Sequence, residues 1–563
     1  MIKNTKQIDR KILLTLVVFI FFFVLFIKLT LIQIFLHTRI NTTVEKMINR
    51  KNIEVAKRGD ILDSKGNILA SSIKKYNIFL DPKIIEDFCK LKNILSKNGI
   101  KIKEKNLNEF GKTSYVPIAF NVDTKLVDKI KNEKLKGIGF ENKYIRQYPE
   151  GKLLAHILGI TGYDGSGLAG IEKEYNGILS GNNIITKNRR DGRGHIIQDK
   201  FVDKTKICGQ NIKLSIDRTI QFIAEQELRK TFDKYKAKKA ICIVQDPKTG
   251  NILAMVSLPD FDSSIKIKDI DILKNSAISD IYEPGSTFKI ITVSAALEEK
   301  KIKLSDIFYL ENGKYKIANH TIKDNHKIKD CVSLSKALEQ SSNIAMVKIA
   351  QKLGKENLYR YIRKFGFYSL TGIDLPDEAK GLLKDVKKWD ILSLPTISFG
   401  QSIGVTAIQM INAFSAIAND GILVKPSVKY IEKNDSKTIE NICNPKEIRR
   451  VVSIETAQTL KKLLKNVVDF GTGKSAKIPG YTVGGKTGTA QKFDPTTKTY
   501  SLKYYIASFC GMVPAMNPEI VILVIIDEPK SANYYASSVA SPVFANIAKR
   551  TAQYLDIIKD DKN

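Results

Sequence analysis

The longest apolar stretch comes first: Ile12 to Ile27 reads ILLTLVVFIFFFVLFI without a charge, and beyond Lys28 the run resumes to Leu36. At ~1.5 Å per residue, Ile12 to Ile27 reaches only ~24 Å against a ~30 Å hydrocarbon core. A membrane span must therefore continue through residues 29–34, with Lys28 snorkelling to the headgroups. No small-x-small cleavage site follows, which favours an uncleaved anchor over a signal peptide. Nothing after residue 40 is long and apolar enough to span again, so one pass is expected. From Asn41 to about Lys206 the pattern is strand-and-turn-like with short helices. A second body opens near Gly209. Ile220, Ile223, Ala224 and Leu228 fall at helical spacing, and KAICIVQD, PKTG and NILAMVS (239–257) read as a β-hairpin. Residues 504–513 and 520–527 predict two more strands, and Phe544, Ile547, Ala548 and Leu555 mark a final amphipathic helix. With a helical insertion from about 290 to 420, this pattern predicts an α+β domain.

Composition narrows the function. Hydrophobic residues make up 43% and charged residues 27% of 563 residues, which excludes a mostly disordered chain and a polytopic membrane protein. Lys and Arg number 91 against 59 Asp and Glu, a net +32. The basic residues are spread along the whole chain with no aromatic-rich RNA-binding signature, so nucleic acid is not the expected partner. Because they flank the apolar run on both sides (Lys3, Lys6, Arg10 and Lys11 before it, Arg39, Lys46, Arg50 and Lys51 after it), charge alone does not orient the anchor. The six cysteines show no C-x-x-C pair, and neither they nor the five histidines suggest a metal cage.

Two glycine-rich runs imitate nucleotide loops. Gly165-Ser166-Gly167-Leu168-Ala169-Gly170 matches G-x-G-x-x-G, but the charged stretch after it does not suit a buried parallel strand. Gly471-Thr472-Gly473-Lys474-Ser475 resembles a P-loop end, but Val468 stands where that loop needs glycine.

The chemistry lies elsewhere. Glu283-Pro284-Gly285-Ser286-Thr287-Phe288-Lys289 leads into a helix, which places Ser286 in or near its first turn with Lys289 on the same face. A serine hydroxyl needs a base to become a nucleophile. A lysine amine can serve when burial or a cationic neighbour lowers its pKa. S-x-x-K also occurs at Ser72, Ser263 and Ser333, so company decides. Ser341-Ser342-Asn343 follows in a helical stretch, and Lys486-Thr487-Gly488-Thr489 follows YTVGG at a strand edge.

This ordered triple resembles that of the penicillin-recognising serine transpeptidases. RGDILDSKGNILA, the R-x-Y-P-x-G…GLAGIE block (Arg146 to Glu172), DPKTGNILAMVS, SFGQSIGVTAIQM and GGKTGTAQ extend the likeness over roughly 500 residues to the class B penicillin-binding proteins. The RRDGRGHII block and SFGQSIGVTAIQM resemble the division-specific (FtsI-type) members more than the elongation type. Ser64, Ser402, Ala407 and the Ser537-Ser538 pair depart from the family pattern without touching a catalytic position.

The resemblance implies a tail (1–11), an anchor (12–36), an elongated mixed α/β pedestal of the dimerisation type (37–206), a transpeptidase domain with a five-stranded antiparallel sheet flanked by helices (207–555), and a tail (556–563). It also implies roles for single residues. Ser286 would attack the penultimate D-Ala carbonyl of a peptidoglycan stem peptide, with Lys289 as base. Ser341 would relay a proton, Asn343 would orient Lys289, and Lys486 would supply positive potential. Thr487, Gly488 and Thr489 would form the wall that binds the substrate carboxylate. Arg58, Gly59 and Glu172 are expected to be pedestal structure, and His156 a hydrogen-bonding core residue. No metal or organic cofactor is needed. β-Lactams would acylate the same serine. A SEDS-type glycosyltransferase and other division proteins would be membrane partners, with the catalytic domain on the periplasmic side of the cytoplasmic membrane. A D,D-carboxypeptidase, a β-lactamase or a divisome scaffold remain alternatives at this point.

Overall fold

The structure is a computed structural model and describes residues 10–39, 41, 49–103, 113, 115–190, 196–198, 208–265, 267, 269–324, 330–430, 446–494, 499–531 and 533–561. It divides into two units, Met1–Lys57 with Gly181–Gly209 and Arg58–Ser180 with Gln210–Asn563. In the first, the apolar run folds as a helix, Arg10–Thr30, that passes through Lys28 and continues as a π-helical turn, Leu31–Phe35. Ile12–Ile34 spans 23 residues, with a mean hydropathy of 3.0 over its most apolar 18, and that stretch has no buried residue. At ~1.5 Å per residue the full segment extends about 34 Å, enough to cross a ~30 Å hydrocarbon layer. Strand Asn49–Glu54 then pairs antiparallel with Ile184–Arg190, which also pairs with Ile196–Gln198. The centre of the RRDGRGHII block, residues 191–195, lies outside the described residues.

The second unit begins with a small sheet around Ile68–Leu80, which pairs antiparallel with Val116–Asp123 and Ile138–Gln147. Helices Phe88–Lys97 and Thr124–Asn132 cover it, packing Leu91, Leu95, Val127 and Ile130 against Tyr76, Ile78 and Leu80. Beside it the two pedestal sequence blocks converge on one carboxylate. Glu172 is fully buried, with Oε2 at 2.5 Å from Arg58 Nε and Oε1 at 2.6 Å from Arg146 Nε. The guanidiniums spread outward to Asn176 Oδ1, the Glu172 carbonyl and the Gly59 carbonyl. Such bonding offsets the cost of taking three charges out of water. His156 is buried, and its Nε2 lies 3.0 Å from Ile272 O.

The larger sheet consists of β1 (Lys239–Gln245), β2 (Ile252–Leu258), β3 (Gly484–Asp494), β4 (Thr499–Val513) and β5 (Ile520–Asp527), ordered β2-β1-β5-β4-β3 and antiparallel throughout. Alternate residues point to opposite faces, and here both faces are covered. Cys242, Val244, Ile522 and Val524 join one core with Ile220, Ala224 and Leu228 of α1 (Arg218–Lys234) and Phe544 and Ile547 of the final helix, Ser541–Tyr554. Ile241, Ile243, Val521 and Leu523 join another core with helices α2 (Lys289–Glu298), α3 (Asn343–Leu353), α4 (Ala407–Ala418) and α5 (Ile454–Phe470). That is why IVILVII reads as an unbroken apolar run. α1 is capped by Asp217, and α4 by a Thr406–Gln409 capping box. The insertion is not helical throughout. Two ribbons, Ile307–Tyr309 with Cys331–Ser333 and Lys314–Ile317 with His320–Lys323, interrupt it. Their strands are three or four residues long, too short for a readable period.

Candidate active site

Gly285–Phe288 forms a 3-10 turn that runs into α2. Ser286 thus lies just ahead of the α-helix, in a tighter turn where side chains three apart eclipse each other. It is half-buried, while Lys289 below it is fully buried. Gly285 donates to Gly400 O at 3.0 Å, and a Cβ on Gly400 would lie 2.1 Å from Gly285 O. The SFGQ segment therefore needs its glycine to lie against the reactive turn.

The S-x-N motif occupies a break between two helices. Helix Leu334–Glu339 stops, Ser341 adopts a left-handed φ of +56°, and Ser342 caps α3. That region is costly for a serine. The reversal presents both Ser341 O and Oγ to Lys289 Nζ, at 2.6 and 3.1 Å, while Asn343 Oδ1 lies at 2.8 Å. Lys486, fully buried in the edge strand β3 opposite Cys510, donates to Ser341 Oγ at 2.9 Å. One hydroxyl lies between two amines.

Burial sets the electrostatics. Desolvation pulls the Lys486 ammonium down to about 7. Lys289 is held well below its ordinary value, first by burial and then by the Lys486 charge, while Asp324 opposes the shift. Asp324 is a residue the motifs do not reveal. It accepts from the Asn343 and Ile344 N–H groups and from Ser342 Oγ, so it holds the N-terminus of α3. No local spacing connects it to the S-x-N motif, so the sequence carried no signal for it.

The K-T-G strand forms the opposite wall. Thr487 Oγ1 lies 2.9 Å from Thr472 Oγ1, and Thr489 Oγ1 accepts from Ala536 N–H at 3.1 Å. A Cβ on Gly488 would come within 2.6 Å of Ser508 Oγ and 2.9 Å of Pro284 O. Glycine here lets β3 lie directly on the Ser286 turn. A cleft of about 450 Å³ is lined by Ser286, Gln340, Ser341, Thr472, Thr487 and Thr489, with Tyr535–Ser537 on its edge. Lys289, Asn343 and Lys486 connect to it through Ser341. All eight residues singled out from the sequence thus meet around one cleft. Thr472 joins them from the run that only imitated a phosphate loop.

Residues 240–549 match the family described as penicillin binding protein transpeptidase domain, and residues 53–214 match the penicillin-binding protein dimerisation domain. Stage V sporulation protein D of Bacillus subtilis is 32% identical over 98% of this chain and 87% of its own length. Peptidoglycan D,D-transpeptidase FtsI of Buchnera aphidicola is 30% identical over 98% of this chain and 96% of its own. A crystal structure of penicillin binding protein 3 from Mycobacterium tuberculosis complexed with aztreonam covers 91% of this chain and 98% of its own, at a TM-score of 0.69 and 27% identity.

Proposed function

This chain belongs to the class B penicillin-binding proteins, which are serine transpeptidases, and we propose that it cross-links peptidoglycan in septal wall synthesis through an acyl-enzyme on Ser286. In its neutral form Lys289 has two N–H groups and a lone pair. Ser341 O and Asn343 Oδ1 are pure acceptors and take the two N–H groups, which leaves the lone pair for the Ser286 proton. Ser286 Oγ then bonds to the penultimate D-Ala carbonyl of a stem peptide. The Ser286 and Thr489 backbone N–H groups stabilise the oxyanion, an effect of ~3 kcal/mol per donor in comparable sites. Collapse breaks the peptide bond. The proton held by Lys289 passes through Ser341 Oγ to the leaving amine, and D-Ala departs. Lys486 contributes positive potential, and Thr487 and Thr489 hold the terminal carboxylate. The side-chain amine of a neighbouring stem peptide then attacks the ester and regenerates Ser286.

The observation that carries this reading is the Ser341 hydroxyl shared between Lys289 and Lys486 at the floor of the cleft. β-Lactams would acylate Ser286 in the same way. The apolar helix supports a single-pass anchor in the cytoplasmic membrane. In this reading the transpeptidase domain (207–555) and the preceding pedestal (37–206) lie on the periplasmic side, and a SEDS-type glycosyltransferase and other division proteins are the membrane partners. The test is covalent labelling with a fluorescent penicillin. Stable labelling that disappears in Ser286→Ala is expected. Rapid drug turnover would indicate a β-lactamase, and a folded protein that takes no label would count against catalysis altogether.

A further inference from the structure

Glu283 lies three residues before Ser286, outside the motif triple, and its side chain is largely buried. One oxygen, Oε1, accepts from Ser402 N–H at 2.9 Å and from Tyr500 Oη–H at 3.1 Å. The other, Oε2, is buried without a hydrogen-bond partner among the described residues. Burial raises the carboxyl pKa, and burial first, then this carboxylate, pushes Tyr500 up to about 12. Keeping such a group desolvated is unfavourable, so its bonds need a compensating use.

They connect three segments. The first is the reactive turn, which is fastened to the 400–405 segment by Gly285 N–H to Gly400 O at 3.0 Å and by paired Tyr282–Val405 backbone bonds. Between those fastenings Ser402 adopts a left-handed φ of +60°, a conformation that favours glycine. The Glu283 carboxylate holds the N–H of that strained residue. The third segment is the β3–β4 hairpin, where Tyr500 of β4 pairs with Phe493 of β3. Glu283 therefore joins the turn bearing Ser286 to the far end of the hairpin bearing Thr489. The two N–H groups assigned above to the oxyanion hole belong one to each.

We propose that Glu283 is a positioning residue that sets the spacing between the Ser286 turn and the K-T-G strand, so that acylation depends on its bonds to Ser402 and Tyr500. This rests on the transpeptidase reading of Ser286. The contribution falls on the bond-making steps and not on binding, because the oxyanion forms only in those steps, and acylation by a penicillin reads the first of them.

The test uses the full-length protein in detergent and stopped-flow acylation by a fluorescent penicillin, separating the acylation rate constant from the affinity of the pre-covalent complex, with melting curves alongside. Tyr500→Phe, which removes one oxygen, and Glu283→Ala should lower the acylation rate constant about 10- to 100-fold while affinity stays within about twofold and Tyr500→Phe melts as wild type. Ser402→Gly added to Glu283→Ala should recover part of the rate, since glycine holds that backbone unaided. If Glu283→Ala does not fold, Tyr500→Phe decides alone. Unchanged acylation in Tyr500→Phe, a loss confined to affinity, or a rate loss that follows a falling melting temperature would overturn the proposal. Wild-type protein that takes no label would instead overturn the reading of Ser286 on which it rests.

Discussion

Two buried lysines that share one serine hydroxyl place opposite demands on pH. Lys289 must be neutral to take a proton, whereas Lys486 contributes through its charge. Lys486 titrates at about 7 in the fold against 10.5 ordinarily, so between those values the unfolded chain binds more protons and folding stability rises with pH. Lys486→Met should remove that rise and melt higher than wild type at pH 7, while slowing penicillin acylation more than about 100-fold. Parallel melting and labelling from pH 6 to 9 would check both. Asp324→Asn removes the negative charge that supports protonated Lys289. The acid limb of the acylation profile should shift to lower pH, a direction that simple loss of helix capping would not produce. At this scale the sequence was informative where chemistry is local. Ser286 and Lys289 share a turn, and Lys486 to Thr489 are consecutive. Asp324 and Glu283 escaped because their partners come together only in the fold. The left-handed Ser341 escaped because serine does not announce a positive φ as glycine does.

At the level of elements, the close approach of β3 to the Ser286 turn constrains the site directly. Gly488→Ala would place a methyl group against Ser508 Oγ, Pro284 O and Thr287 Cγ2, forcing the strand away from the turn. Overpacking of this kind costs ~1–3 kcal/mol, so a lowered melting temperature and near-complete loss of labelling are expected. Intact labelling would show that the strand can yield without consequence. The central strands were legible because burial on both faces leaves β1 and β5 as uninterrupted apolar runs, and α1 because its apolar positions recur at helical spacing. The 3-10 turn at Ser286 was not legible, since sequence periodicity does not separate the two helix types over four residues. The ribbons before α3 were not legible because their strands are only three or four residues long, and one of them, Lys314–Ile317 with His320–Lys323, is largely polar.

Over the whole molecule, stability and membrane attachment can be tested separately. Glu172→Gln would leave Arg58 and Arg146 buried without their shared carboxylate, at a cost of ~3–5 kcal/mol; denaturant melts should show a midpoint lowered to match. Deleting residues 1–39 should move the protein from the membrane fraction to the soluble one with Ser286 labelling retained, and loss of labelling would mean the anchor also maintains the site. The sheet order β2-β1-β5-β4-β3 has a further consequence, which concerns time. β1 and β2 are translated well before the strand that completes the sheet beside β1: the ribosome crosses the interval from Leu258 to Ile520 in roughly 10–50 s at ~5–20 residues per second. Throughout that delay the helices that cover β1 can already be in place, but its edge stays without the strand that will close it, so synthesis is when this sheet is most open to mispairing.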